Sequence, residues 1–270
     1  MTEEVRGQQR DRRARGSAAH RWACPGCHAP LEGLRAGGSC PGCGRSTGEQ
    51  DGFLDFVAHP EVQGTDRLMR AVYHNLAPLH DPLLAGTFRL LLGSRLSEAR
   101  ATILDRLGAR PGERVLEVGT GTGQNALRLA SAGVHYVGVD LAAGMLRIAR
   151  SRLAAAGRSD VPLALADAHA LPFQDDQFDR VMHVGAVNSF RDPERALSEM
   201  ARVAKPGGML LLVDEELAPE ASRLTRIAFR AATFYASPAA CRAPERLPGA
   251  VITSKEQLSD FFYLLRARVG

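Results

Sequence analysis

The sequence predicts an α/β fold: a doubly wound, mostly parallel sheet preceded by a small metal-stapled module. Three observations carry this. Residues 114–130 read as a short apolar strand (Val115, Leu116, Val118), a turn with Gly119, Gly121 and Gly123 on alternate positions, and an amphipathic helix. Further apolar strands follow at residues 136–139, 163–166, 178–184 and 209–213, with helical stretches between several of them. Ahead of these stand two Cys-Pro-Gly-Cys turns, Cys24/Cys27 and Cys40/Cys43, with twelve residues between the pairs.

The 270 residues leave room for one domain of about 200 residues and a small one. With 45% apolar and 24% charged residues, the composition is that of an ordinary globular protein. No apolar run approaches the ~20 residues needed to cross a bilayer. The N-terminus lacks the apolar segment of a secretory signal, so the expected location is cytoplasmic. The formal net charge is +4, but residues 1–21 hold six arginines against three acids and account for most of it. The remainder is almost neutral, which argues against a nucleic-acid footprint on the folded part.

In chain order, residues 1–20 are polar, lack an apolar period and read as a disordered basic tail. Residues 21–58 read as a zinc ribbon. Each C-P-G-C turn directs two thiolates at one ion, and Cys24, Cys27, Cys40 and Cys43 together give a closed tetrahedral, structural Zn2+ site. A module this small needs such a staple. Two disulfides are the main alternative, which a cytosolic setting opposes; an iron–sulfur cluster is a lesser one. Cys241 reads as an inert thiol. Phe53, Leu54, Phe56 and Val57 form a short strand closing the ribbon, residues 59–64 a linker, and residues 65–270 the main domain. Residues 83–107 continue as helix, stopped by Gly108 and Pro111-Gly112.

At the glycine turn the backbone can bend sharply, approach a ligand and leave amides free to meet it. Asp140 ends the second strand about 20 residues on, where a doubly wound fold places an acid that accepts bonds from a ribose. The order E-x-G-x-G-x-G departs from the dinucleotide pattern G-x-G-x-x-G. Glu117 inside the strand suits a cationic or hydroxyl-bearing group and is poor beside a pyrophosphate.

On these residues the chain resembles the class I S-adenosylmethionine-dependent methyltransferases, whose main domain is Rossmann-like. The resemblance implies S-adenosyl-L-methionine as cofactor. Glu117, Gly119, Thr120, Gly121 and Gly123 would surround its methionine part, and Asp140 with Leu141 its ribose. Met145 would touch the adenine, although a buried helix stripe also explains it. Asp167 and the amide of Ala168 would meet the adenine amino group and ring; the bland alternative for Asp167 is a turn cap. Residues 69–87 resemble the family's opening helix, with Tyr73, Ala77 and Asp81 on its pattern, and would act as a lid. Tyr73 and His80 from this lid, and Asn188 beyond the fourth strand, are the candidate acceptor-pocket residues. His183 lies within that strand and serves as a base only if it faces the ligand.

Residues 175–214, with the turn Lys205-Pro206-Gly207-Gly208, resemble the quinone and small-molecule branch. The resemblance therefore implies methyl transfer to a small acceptor, a specialised metabolite or quinone-like compound. The alternative is RNA. Zinc ribbons precede the domain in a group that methylates guanine in ribosomal RNA, and the match to that group is partial. Residues 252–258 resemble the start of the family's last helix. Two closing strands should then follow, and the run at residues 266–269 is too short for both. The expectation is a sheet shortened at its C-terminal edge, or a piece of a longer chain, with that edge covered by helices or a second subunit.

Overall fold

The structure is a computed structural model and describes residues 21–31, 37–57, 62–91, 96–185, 187–233 and 241–270. The expected basic tail and the first half of the expected linker lie outside these residues. One nine-stranded sheet runs through the molecule. Its strands are β1 (Gly48–Gln50), β2 (Phe53–Asp55), β3 (Arg114–Val118), β4 (His135–Asp140), β5 (Leu163–Leu165), β6 (Phe178–Val184), β7 (Ala204–Glu215), β8 (Ala250–Ser259) and β9 (Phe262–Val269), in the order β1-β2-β5-β4-β3-β6-β7-β9-β8. Strands β5, β4, β3, β6 and β7 are parallel, and β9 and β8 close the far side antiparallel.

The helices are α1 (Gly64–Leu91), α2 (Leu96–Leu107), α3 (Gln124–Ser131), α4 (Ala143–Ala155), α5 (Pro193–Val203) and α6 (Arg223–Ala232). Both faces of the central strands are covered, as parallel sheets require. Leu116 and Val118 of β3 pack with Leu197 and Met200 of α5. The alternate residue Val115 packs with Ile103 and Leu107 of α2 and Ala126 and Leu129 of α3. Helix α5 starts where its sequence says it should: Pro193 occupies the first turn, and the Asp192 carboxylate accepts the Arg195 amide at 3.0 Å.

Two expectations are corrected. Residues 252–258 are not helix but the middle of β8, and β8 and β9 form an antiparallel hairpin. The sheet is therefore not shortened at its C-terminal edge. The edge strand on that side is β8. The expected helix over residues 83–107 is in fact parts of two, α1 and α2, with residues 92–95 outside the described set.

The ribbon is joined to the sheet, which the sequence did not suggest. Its hairpin β1–β2 is antiparallel, and β2 then pairs parallel to β5 at Asp55 and Leu165. The Phe56 amide donates to the Leu165 carbonyl at 3.0 Å. Trp22 stacks between Phe56 and Phe173, with ring centroids 5.1 Å away on each side. The Ala23 amide donates to the Pro172 carbonyl at 2.9 Å, and Gln177 exchanges two hydrogen bonds with the Arg21 backbone.

Candidate active site

The four predicted metal ligands converge. The sulfurs of Cys24, Cys27, Cys40 and Cys43 all lie within 4.8 Å of one another, with Cys24–Cys43 and Cys27–Cys40 at 3.5 Å. No disulfide links them. Four thiolates about 2.3 Å from a zinc ion sit about 3.8 Å apart, so the cluster fits this ion. Amides of Gly26 and Gly42 donate to Cys24 and Cys40 sulfurs at 3.4 and 3.3 Å, which orients both knuckles. Four protein ligands leave no open position for chemistry.

At the carboxyl ends of the parallel strands lies a cleft of about 300 Å³. Its near half is the glycine turn. The amides of Gly119 and Thr120 both donate to the Val139 carbonyl, at 2.8 and 3.0 Å, which bends the chain away from β3. Gly121 has φ +54°, and a Cβ there would point into open space, so the missing side chain leaves room for a ligand. Gly123 has φ +74°, and a Cβ there would lie 2.8 Å from Ala149 of α4; it packs the turn from behind and does not line the cleft. Asp140 braces the turn: its two oxygens accept the amides of Gly121 and Ala142, each at 2.8 Å. Burial raises its carboxyl, partly offset by those amides.

Glu117 lies beneath the turn and is 1% exposed. Its carboxylate accepts from Asn125 at 2.7 Å, from the Tyr136 hydroxyl at 2.5 Å and from Thr120 at 3.3 Å. Burial nevertheless pushes it up to about 7. A carboxyl half-ionised near neutrality at the wall of a cleft fits a cationic ligand, which would draw it into the charged form. Binding of S-adenosylmethionine should therefore release protons below about pH 7, and affinity should rise with pH up to that point. Calorimetry in buffers of different ionisation enthalpy checks this; proton uptake would contradict it.

Leu141, Met145, Asp167 and Ala168 line the same cleft, so most of the predicted cofactor set is brought together. Asp167 is already engaged. One oxygen takes the His169 amide at 2.9 Å and the His169 ring at 2.6 Å; the other takes Arg191 at 2.7 Å. Burial opposes its charge, but His169 and Arg191 outweigh it and hold the carboxyl down at about 2. Arg191 also pairs with Asp66 in the first turn of α1, so α1 and the loop after β5 share one guanidinium.

Helix α1 lies along the cleft and contributes Tyr73 and His80, whose rings meet edge-on at 5.9 Å. Burial, with Glu215, Asp214 and Asp140 nearby, raises the Tyr73 phenol well above its usual value. Asp81 latches the helix to the turn: it accepts from Thr122 at 2.9 Å, Gln124 at 3.0 Å and Arg152 at 2.8 Å. Burial works against the Asp81 charge, yet His80 and these three partners hold it far below the usual carboxylate range. Asn188 is not brought to the cleft lining. Its side chain donates to the Glu215 carbonyl at 2.9 Å, and its amide to Asp214 at 2.7 Å.

The far half of the cleft holds residues that sequence reasoning missed: Phe190 beyond the short 3-10 turn, Glu215 at the end of β7, and Phe262 at the start of β9. Glu215 had a signal, since ligands collect beyond the carboxyl ends of parallel strands. Phe262 had none while its strand was unrecognised.

Residues 116–212 match the family model described as a methyltransferase domain. The chain is 36% identical over 144 residues to the demethylmenaquinone methyltransferase of Renibacterium salmoninarum, covering 53% of this chain and 57% of that protein. It is 34% identical over 175 residues to the ubiquinone/menaquinone biosynthesis C-methyltransferase UbiE of Bordetella parapertussis, covering 62% and 64%. The chain thus spans less than two thirds of either relative. A SAM-dependent methyltransferase from Aquifex aeolicus superposes with a TM-score of 0.52 at 18% identity, over 72% of this chain and 98% of that one. This last likeness is one of fold.

Proposed function

We propose that this chain, which carries a class I S-adenosylmethionine-dependent methyltransferase domain related to the quinone methyltransferases, transfers a methyl group to a small quinone-like acceptor. One observation carries the reading. The glycine turn, Glu117 and the aromatic side chains of Tyr73, Phe190 and Phe262 all line one cleft. S-adenosylmethionine supplies an electrophilic methyl group when bound. The chain's task is then to hold an acceptor atom in line, roughly 3 Å away, and to exclude water. Asp140 and Gly121 hold the ribose side, Glu117 the cationic end, and Asp167 with Ala168 the adenine side. Tyr73 and His80 close the acceptor space from the lid. Asn188 shapes it indirectly by fixing the end of β7. The ribbon at residues 21–58 and the main domain from residue 65 work as one unit, with zinc structural.

The deciding experiment offers methyl-labelled cofactor to the full chain with a naphthoquinol and with ribosomal RNA side by side. Label is expected in the naphthoquinol. Recovery of the label in RNA alone would overturn the reading. Asp140→Ala should weaken cofactor binding by about 1–3 kcal/mol, the scale of losing hydrogen bonds to a charged group; calorimetry with unchanged affinity would remove Asp140 from the site.

A further inference from the structure

The cleft wall contains a buried acceptor that the described residues leave unsatisfied. His183 is the penultimate residue of β6, lines the cleft and is 1% exposed. Its Nδ1 lies 2.6 Å from the Val118 carbonyl oxygen. A carbonyl only accepts, so Nδ1 carries the proton and Nε2 presents a lone pair. Nε2 is buried and has no hydrogen-bond partner among the described residues. Buried polar atoms are normally paired, and an orphan at a cleft wall is a mark of a ligand position.

The ring is also fixed in place. It lies against Phe190 with centroids 5.1 Å apart, and over Gly119, where a Cβ would sit 3.2 Å from the imidazole Cε1. Gly119 begins the glycine turn, so the imidazole stands where the two halves of the cleft meet. Burial pushes His183 down to about 4, although the Val118 carbonyl, Glu215 and the Gly185 backbone favour its charged form. At neutral pH the ring is uncharged and its free nitrogen can only accept.

We propose that Nε2 of His183 accepts a hydrogen bond from a ring hydroxyl of the methyl acceptor, and so makes the site select the hydroxyl-bearing, reduced form of a quinone-like compound. A hydroxyl satisfies the lone pair. A quinone carbonyl in the same place sets lone pair against lone pair, and an ether leaves Nε2 unpaired. Sites built to pair with a hydroxyl reject analogues that lack it, because the protein's own polar group is stranded. His183 is thus a specificity-determining residue, and the inference deepens the methyl-transfer reading on which it rests.

The test needs no turnover. The full zinc-loaded chain, labelled with 15N-histidine and saturated with S-adenosylhomocysteine, is titrated with 2-naphthol and with 2-methoxynaphthalene. The naphthol should bind about tenfold or more tighter than the ether. The His183 Nε2 resonance should move on adding the naphthol and stay in place with the ether. In His183→Phe, which keeps a ring over Gly119, the preference should vanish while S-adenosylhomocysteine still binds. His183→Gln, whose amide oxygen can reach the Nε2 position, should restore part of it. Equal binding of the two probes by the parent chain, an unmoved Nε2 resonance, or a preference that survives in His183→Phe would overturn the proposal. If neither probe binds but S-adenosylhomocysteine does, the hydroxyl site fails and the methyl-transfer reading stands. If S-adenosylhomocysteine itself does not bind, the underlying reading fails.

Discussion

Gly144→Ala should displace helix α1. Gly144 sits in the first turn of α4, where a Cβ would lie 2.2 Å from the His74 carbonyl oxygen and 2.9 Å from two other backbone atoms of His74. The Gly144 amide also donates to the His74 ring at 3.3 Å. No rotamer change relieves a clash with backbone, so α1 must move as a body. Overpacking of this kind costs typically 1–3 kcal/mol, whereas alanine improves a helix interior by about 1 kcal/mol at most. The packing effect wins. Because α1 carries Tyr73, His80 and Asp81, its shift also breaks the latch to Thr122 and Gln124. The expected result is a lower Tm, faster proteolysis within residues 64–91 and weakened acceptor binding. A variant with a raised Tm and unchanged proteolysis would show that the two helices are not in backbone contact in solution.

Cys40→Ser should cost the ribbon its fold. Zinc binding to small finger modules is worth about 10–16 kcal/mol, as much as the whole stability of a typical domain. Loss of one of four thiolates removes much of that from a module of fewer than 40 residues. The damage should not stop there. The Trp22 stack and the Phe56–Leu165 bond hold β5 and the following segment that carries Asp167, Ala168 and His169. Elemental analysis should find less than one zinc per chain. Amide exchange should speed up at residues 22–57 and also at 165–173, and cofactor affinity should fall. Fast exchange confined to the ribbon would show that its docking does not support β5 and the segment after it.

Much of this was legible because it is local. The strand, glycine turn and helix around Gly119–Gly123 follow from short-range periodicity and from conformations that only glycine takes easily. Asp192-Pro193 states its own helix start. Residues 252–258 misled for the same reason. Thr253 and Ser254 resemble a cap, and Lys255, Glu256, Gln257 and Leu258 are good helix formers. Pairing with β9 overrides that preference, and tertiary context of this kind decides most strands. The pair Asp66–Arg191 spans two distant segments and has no sequence signature. His183 was ambiguous because a central parallel strand is buried on both faces, so alternation does not say which side meets the ligand. Its role emerges only from the Val118 carbonyl across the strand boundary.

The attachment of the ribbon fixes an order of events during synthesis. Arg21 bonds to Gln177, 156 residues further on. At roughly 5–20 residues per second, the ribosome takes about 8–30 s to deliver the second partner after the first. For that time Trp22 and Phe56 have no Phe173 or Leu165 to meet, and β2 is a bare edge open to other nascent chains. A module without a core of its own survives the wait only if the metal is already in place. Zinc capture is thus a requirement on the timing of this protein's birth, and cells starved of zinc should accumulate it as aggregate before they accumulate it as folded, metal-free protein.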